Sequence, residues 1–108
     1  MIDVDKAIAA AVNSGKVAFG TKEAIQNAKT GKARLILVSR NVPAKTQRDL
    51  NHYGKLSGVP IASYRGDGVD LGLTCGKPFV VTALVIRELG NSEILKLVES
   101  ESDEIEED

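Results

Sequence analysis

The chain has 108 residues, 43% of them apolar, and a formal net charge of −1. That is material for one folded core, and no apolar run approaches the roughly 20 residues of a membrane span. One Cys and one His exclude an internal disulfide framework and the usual zinc sites, so the sequence predicts a cytoplasmic protein without metal or cofactor and without a membrane partner. The acidic start, Met1-Ile2-Asp3-Val4-Asp5, lacks the basic-then-apolar order of a signal peptide. The small net charge hides a division. Residues 1–90 hold 13 Lys and Arg against 7 Asp and Glu, whereas residues 91–108 hold Lys96 against eight acids. A basic body of this kind favours an anionic partner.

Val4, Ile8, Ala11 and Val12 recur at helical spacing behind two candidate caps, Asp3 and Asp5, and Gly15 ends that helix. Val17-Ala18-Phe19 reads as a short strand. A second helix opens at Gly20-Thr21, with Thr21 as its cap, and runs to about Thr30 before Gly31. Leu35-Ile36-Leu37-Val38 is the clearest buried strand, closed by Ser39-Arg40-Asn41. Pro43 suits the first turn of a third helix, on which Leu50, Tyr53 and Ser57 share a face and which Gly58 closes. Residues 60–64 read as another strand, and 67–75 as a short helix that Gly72 weakens. Residues 80–86 form the last strand, and Asn91 or Ser92 caps a final helix carrying Ile94, Leu95 and Val98. Alternating helices and strands with short connections predict an α/β fold, one four-stranded sheet with helices on both faces. The folded domain spans residues 1–98. Residues 99–108 are acidic with Ile105 as the one apolar side chain, and are expected to be a disordered tail that either aids solubility or screens the basic loops.

Three loops hold more polar or unusual residues than turns require: Gly20-Thr21-Lys22-Glu23, Ser39-Arg40-Asn41 and Gly76-Lys77-Pro78-Phe79. The first two follow the carboxyl ends of strands, where α/β sheets commonly place ligands. The third enters its strand at the start, so all three share one edge if that strand runs antiparallel to the others. Gly20 lets backbone approach, and the helix start behind it offers N–H groups to an anion. Lys22, Arg40 and Lys77 supply positive charge, and Asn41 can donate and accept at a base edge. Pro78-Phe79-Val80 offers an apolar face on which a base can stack. Each residue also has an ordinary reading: Phe79 as a lid on the core, Asn41 as a turn residue, Lys22, Arg40 and Lys77 as solvated charges. Together, in a basic body, they favour RNA. Gly66-Asp67-Gly68 lacks the Lys-Ser/Thr of a phosphate-binding P-loop, and His52 with Cys75 has no third orienting group.

The order and spacing of several segments carry a family resemblance. These are Ser14-Gly15-Lys16, Gly20-Thr21-Lys22, Ala33-Arg34-Leu35-Ile36, Arg40-Asn41, Tyr53 with Leu56-Ser57-Gly58-Val59-Pro60, Leu71-Gly72 and Gly76-Lys77-Pro78-Phe79. Over residues 4–98 the chain resembles the archaeal and eukaryotic large-subunit ribosomal protein "thirty-e" family, a branch of the kink-turn RNA-binding superfamily. The resemblance implies a three-layer α/β/α sandwich with a mixed sheet and a structural, non-enzymatic role in the large ribosomal subunit. It also implies recognition of a kink-turn or similar internal loop of ribosomal RNA, beside neighbouring ribosomal proteins. By position, Gly20 and Lys22 would meet the bend, Asn41 a sheared guanine–adenine pair, and Phe79 an exposed base. Thr21, Arg40, Lys77, Pro78 and Val80 would flank them. Lys22 stands where the wider superfamily has Asn, and Glu23 keeps that superfamily's acid. The alternatives are a kink-turn protein of another ribonucleoprotein, such as a guide-RNA modification particle, and a small α/β enzyme or ligand-binding module. A monomer is expected for the free chain.

Overall fold

A computed structural model describes residues 3–92 together with 94 and 95. Eight elements follow one another: α1 (Val4–Ser14), β1 (Lys16–Phe19), α2 (Thr21–Thr30), β2 (Leu35–Val38), α3 (Ala44–Ser57), β3 (Ile61–Ser63), α4 (Gly68–Thr74) and β4 (Ala83–Glu88). The strands form one mixed sheet in the order β1-β4-β2-β3. β4 is antiparallel to both of its neighbours, pairing Phe19 with Leu84 on one side and Val38 with Ala83 on the other, while β3 is parallel to β2.

Alternation of side chains along the strands divides the core in two. Leu35, Leu37, Leu84 and Ile86 pack with Ile8, Ala11 and Leu71 beneath α1 and α4. Ile36, Val38, Ala83 and Val85 pack with Ala24, Ala28 and Leu50 beneath α2 and α3. β2 is buried along its whole length, as its unbroken apolar run predicts. The architecture is the expected α/β sandwich with a layer of helices on each face.

The caps follow from local chemistry. Asp3, rather than Asp5, caps α1, its Oδ1 accepting from the Lys6 N–H at 3.2 Å. Asp5 instead accepts from the Tyr64 hydroxyl at 2.7 Å, fastening α1 to the chain beyond β3. Pro43 is the cap of α3 and not part of its first turn. Asp67 and Asp70 build a reciprocal capping box at α4. The last strand begins three residues later than expected, because the Val81 N–H donates to the Gly68 carbonyl at 2.9 Å and so belongs to α4's surface. It also runs to Glu88, past the apolar stretch, since ladder bonds need backbone and not apolar side chains. In the expected final helix, Ser92 Oγ accepts from the Ile94 N–H at 3.2 Å and Ile94 is buried. Val98 and the acidic tail of 99–108 lie outside the described residues.

Candidate nucleic-acid interface

β4 enters the sheet between the outgoing ends of β1 and β2, and this gathers the three loops. Gly20 N–H donates to the Ala83 carbonyl and Ser39 N–H to the Thr82 carbonyl, both at 2.9 Å, on opposite sides of the incoming chain. The antiparallel course on which the convergence depended is present. Gly20, Thr21 and Lys22, Arg40 and Asn41, and residues 77–80 therefore stand along one edge.

Gly20 has φ of +107°, a conformation L side chains rarely adopt, and a Cβ there would face open space. Its backbone is thus both exposed and available for close approach. Gly20 is also the cap of α2, and no side chain accepts from that helix start. The expectation that Thr21 caps the helix is corrected: Thr21 is the first helical residue, because the chain turns at Gly20. The uncapped N–H groups retain the helix's partial positive charge on the loop edge. Lys22 is exposed beside them and Glu23 sits in the same turn.

Asn41 is partly committed. Its Oδ1 accepts from Ser39 Oγ at 2.9 Å and from the Gly68 N–H at 3.2 Å, tying the loop after β2 to the start of α4. Both acceptor positions are thereby used, so toward a base Asn41 acts through its NH2 group as a donor. Arg40 N–H donates to the Gly66 carbonyl at 2.8 Å, and its exposed side chain lies near Asp67. The carboxyl of Asp67 is held below its ordinary value first by the Asp70 N–H, which with help from the Val69 N–H and the Arg40 charge outweighs the opposing effect of desolvation.

The third loop is held by aromatic contacts. Phe79 is 52% exposed and rests edge-on against Phe19, with ring centroids 6.0 Å apart and planes at 85°. Lys77 Nζ lies 5.5 Å from the Phe19 centroid. Phe19 thus supports both the cation and the exposed ring, a role the sequence reading missed by assigning it to β1 alone. The two Phe residues of the chain meet at this edge, and the position of Phe19 immediately before Gly20 was the available signal. Val80 is exposed, and with Pro78, Phe79, Val69 and Leu73 it walls a cavity of about 240 Å³ that Lys77 completes. Val69 and Leu73, at i and i+4 on α4, are exposed here and not core residues, which extends the apolar face beyond the loop.

The groups set aside in the sequence stay apart from this edge's chemistry. Cys75 is buried, and burial pushes its thiol up to about 11 against the opposing effect of Lys77. Such a thiol is not a nucleophile at neutral pH. His52 is exposed on α3 against Tyr53. A broader depression of about 630 Å³ between α1 and α4 is lined by Asp3, Asp5, Lys6 and Arg65 with Leu73 and Thr74, and belongs to the Asp5–Arg65 ion pair at 3.4 Å.

Comparison with known proteins agrees with the fold. Residues 2–96 match the Ribosomal protein L7Ae/L30e/S12e/Gadd45 family. The large ribosomal subunit protein eL30 of Methanothermobacter thermautotrophicus is 42% identical over 97 residues, covering 90% of this chain and 99% of that protein. The eL30 protein of Methanocaldococcus jannaschii is 41% identical over 98 residues, covering 91% and 89%. A solved structure from Bacillus halodurans, of a protein of unknown function, superposes with a TM-score of 0.76 at 15% identity over 92% of this chain and 99% of that one, a likeness of fold alone.

Proposed function

Because the chain belongs to the Ribosomal protein L7Ae/L30e/S12e/Gadd45 family and is similar over nearly its whole length to archaeal eL30 proteins, we propose that it is a structural constituent of the large ribosomal subunit that holds a kink-turn or kink-turn-like internal loop of ribosomal RNA. It is not an enzyme. Its place is the cytoplasmic ribosome, with ribosomal RNA and neighbouring large-subunit proteins as partners.

The observation that carries the RNA reading is the gathering of three loops around the mouth of β4, with an exposed ring at one end and cations along it. Each feature has a task. Gly20 and the uncapped start of α2 receive a phosphate, with Lys22 beside them. Asn41 donates to guanine O6 or N7 on the exposed edge of a sheared guanine–adenine pair. Phe79, braced by Phe19, stacks on an unpaired base, with Pro78 and Val80 widening the apolar contact. Thr21, Arg40 and Lys77 shape and charge the surroundings. A bent internal loop displays these groups together, whereas a regular helix hides its base faces.

The test is the affinity for a kink-turn RNA against the same RNA with its guanine–adenine pairs made Watson–Crick, at about 150 mM salt, where exposed charges more than about 8 Å apart are screened. Tight binding to the first alone is expected. Phe79→Ala should weaken it by about 1–3 kcal/mol, the usual worth of one base–aromatic stack, with little change in thermal midpoint because the ring is half-exposed. Asn41→Ala should weaken binding as well, with some loss of stability from the two bonds it accepts. Equal, weak binding to both RNAs would overturn the three-loop site.

A further inference from the structure

The opposite edge of the sheet carries a second group of cations that the loops do not use. Lys16 opens β1, Lys32 and Arg34 lead into β2, and Arg87 stands near the end of β4, where the Arg34 N–H donates to the Ile86 carbonyl at 2.8 Å. Lys16, Lys32, Arg87 and Glu88 line a cleft of about 290 Å³. Two helices finish at the same end: Lys29 lies in the last turn of α2 and Lys55 in that of α3, with Ser57 Oγ donating to the Lys29 carbonyl at 3.1 Å. All six basic side chains are exposed.

Among the described residues little neutralises them. The one ion pair of this group among the described residues joins Lys16 to Glu88 at 3.8 Å, with side chains 74% and 63% exposed, a weak contact in water. Lys29 and Lys55 complement the negative ends of their helices. Lys32, Arg34 and Arg87 have no such use and make no ion pair among the described residues.

We propose that this far edge is a second RNA-binding surface, which holds the phosphate backbone of a separate RNA segment while the loop edge is occupied. The chemistry is that of phosphates and not of bases: Tyr53, the ring in this region, is half-buried beneath the Lys29 ammonium at 4.9 Å, which leaves no free face for stacking. The geometry requires a separate segment. Strands of four to six residues set the two edges about 15–20 Å apart on opposite ends of the sheet. The protein thereby ties two pieces of RNA together. The far-edge contact does not rest on the kink-turn reading, since it concerns other residues and a ligand of regular helical form, whereas the tie between two RNAs does.

The test uses the full chain, a kink-turn RNA and a labelled plain RNA duplex of about 16 base pairs, the span over which one small domain can follow a double helix. Duplex binding is followed by fluorescence anisotropy at low salt, with the kink-turn RNA absent and at saturation, for the parent and for K32Q/R34Q/R87Q. The parent is expected to bind the duplex equally in both conditions. The triple variant is expected to bind the duplex about ten-fold or more weakly, having lost three phosphate contacts, with its thermal midpoint and kink-turn affinity unchanged. Displacement of the duplex by kink-turn RNA, or equal duplex binding by the triple variant, would overturn the proposal. So would duplex binding that emerges only after removal of residues 99–108, which would assign the far edge to the chain's own acids. Duplex binding that is sensitive to the triple variant, in a protein that ignores the kink-turn, would defeat the loop-edge reading and the tie with it, and leave the far-edge contact standing.

Discussion

A methyl group added at Gly72 would collide with the Phe79 carbonyl oxygen, so the residue that weakens α4 as a helix is the one that lets the third loop lie against it. Gly72→Ala should therefore destabilise the fold by about 1–3 kcal/mol, as overpacking does, and lower the thermal midpoint by about 5–15 °C in a domain of this size. RNA affinity should fall with it, because Phe79 moves. An unchanged midpoint would mean that residues 79–81 are not seated on the helix. In the sequence, Gly72 reads only as a poor helix former, since the close approach it permits comes from a segment seven residues away and leaves no local pattern. Asn41 has the same character. Its place beside Arg40 suggests a base contact, but the two bonds that consume its oxygen come from Ser39 and from Gly68, which is distant in sequence.

At the scale of elements, α4 is the piece most dependent on its cap. Seven residues are too few to be helical on propensity alone, and its first turn is held by the Asp67–Asp70 box. The Asp67 carboxyl titrates below its ordinary value of 3.8 when folded, so as pH falls the unfolded chain takes up this proton first. The cap's contribution is whole above that value and is lost as pH drops through the lower folded one. Thermal unfolding of the parent and of Asp67→Ala should differ near neutral pH, with the variant less stable, and the two midpoints should converge well below pH 3.8. A constant gap would remove the carboxylate from the account. Helices and strands with a strong apolar period were legible in advance: β2 from four consecutive aliphatics, α1 from Ile8 and Ala11. The boundary misplaced furthest was that of β4, where Val80 and Val81 look like strand but lie against α4. Apolar character records burial and not the partner of each backbone N–H.

Over the whole molecule, charge is sorted to the two ends of the sheet, and salt dependence reads out how many cations each RNA meets. The loop edge offers Lys22, Arg40 and Lys77, so kink-turn affinity should fall with a log–log salt slope of about −2 to −3. A slope steeper than about −5 would mean that one RNA reaches cations of both edges, contrary to the two-surface arrangement. This sorting was not visible in the sequence, where the far-edge residues at 16, 32, 34 and 87 are scattered over seventy positions and only the strand order brings them together.

β4 is the last strand in sequence and sits between β1 and β2. A growing chain halted before residue 82 has the first two loops in hand but nothing to hold them at a common edge, for the bonds from Gly20 and Ser39 reach carbonyls at 83 and 82. β1 then has no partner at all, and β2 has only β3. The edge proposed to grip RNA is thus assembled only once β4 has taken its place between them. A chain that lacks β4 should therefore bind a kink-turn RNA no better than it binds a plain duplex.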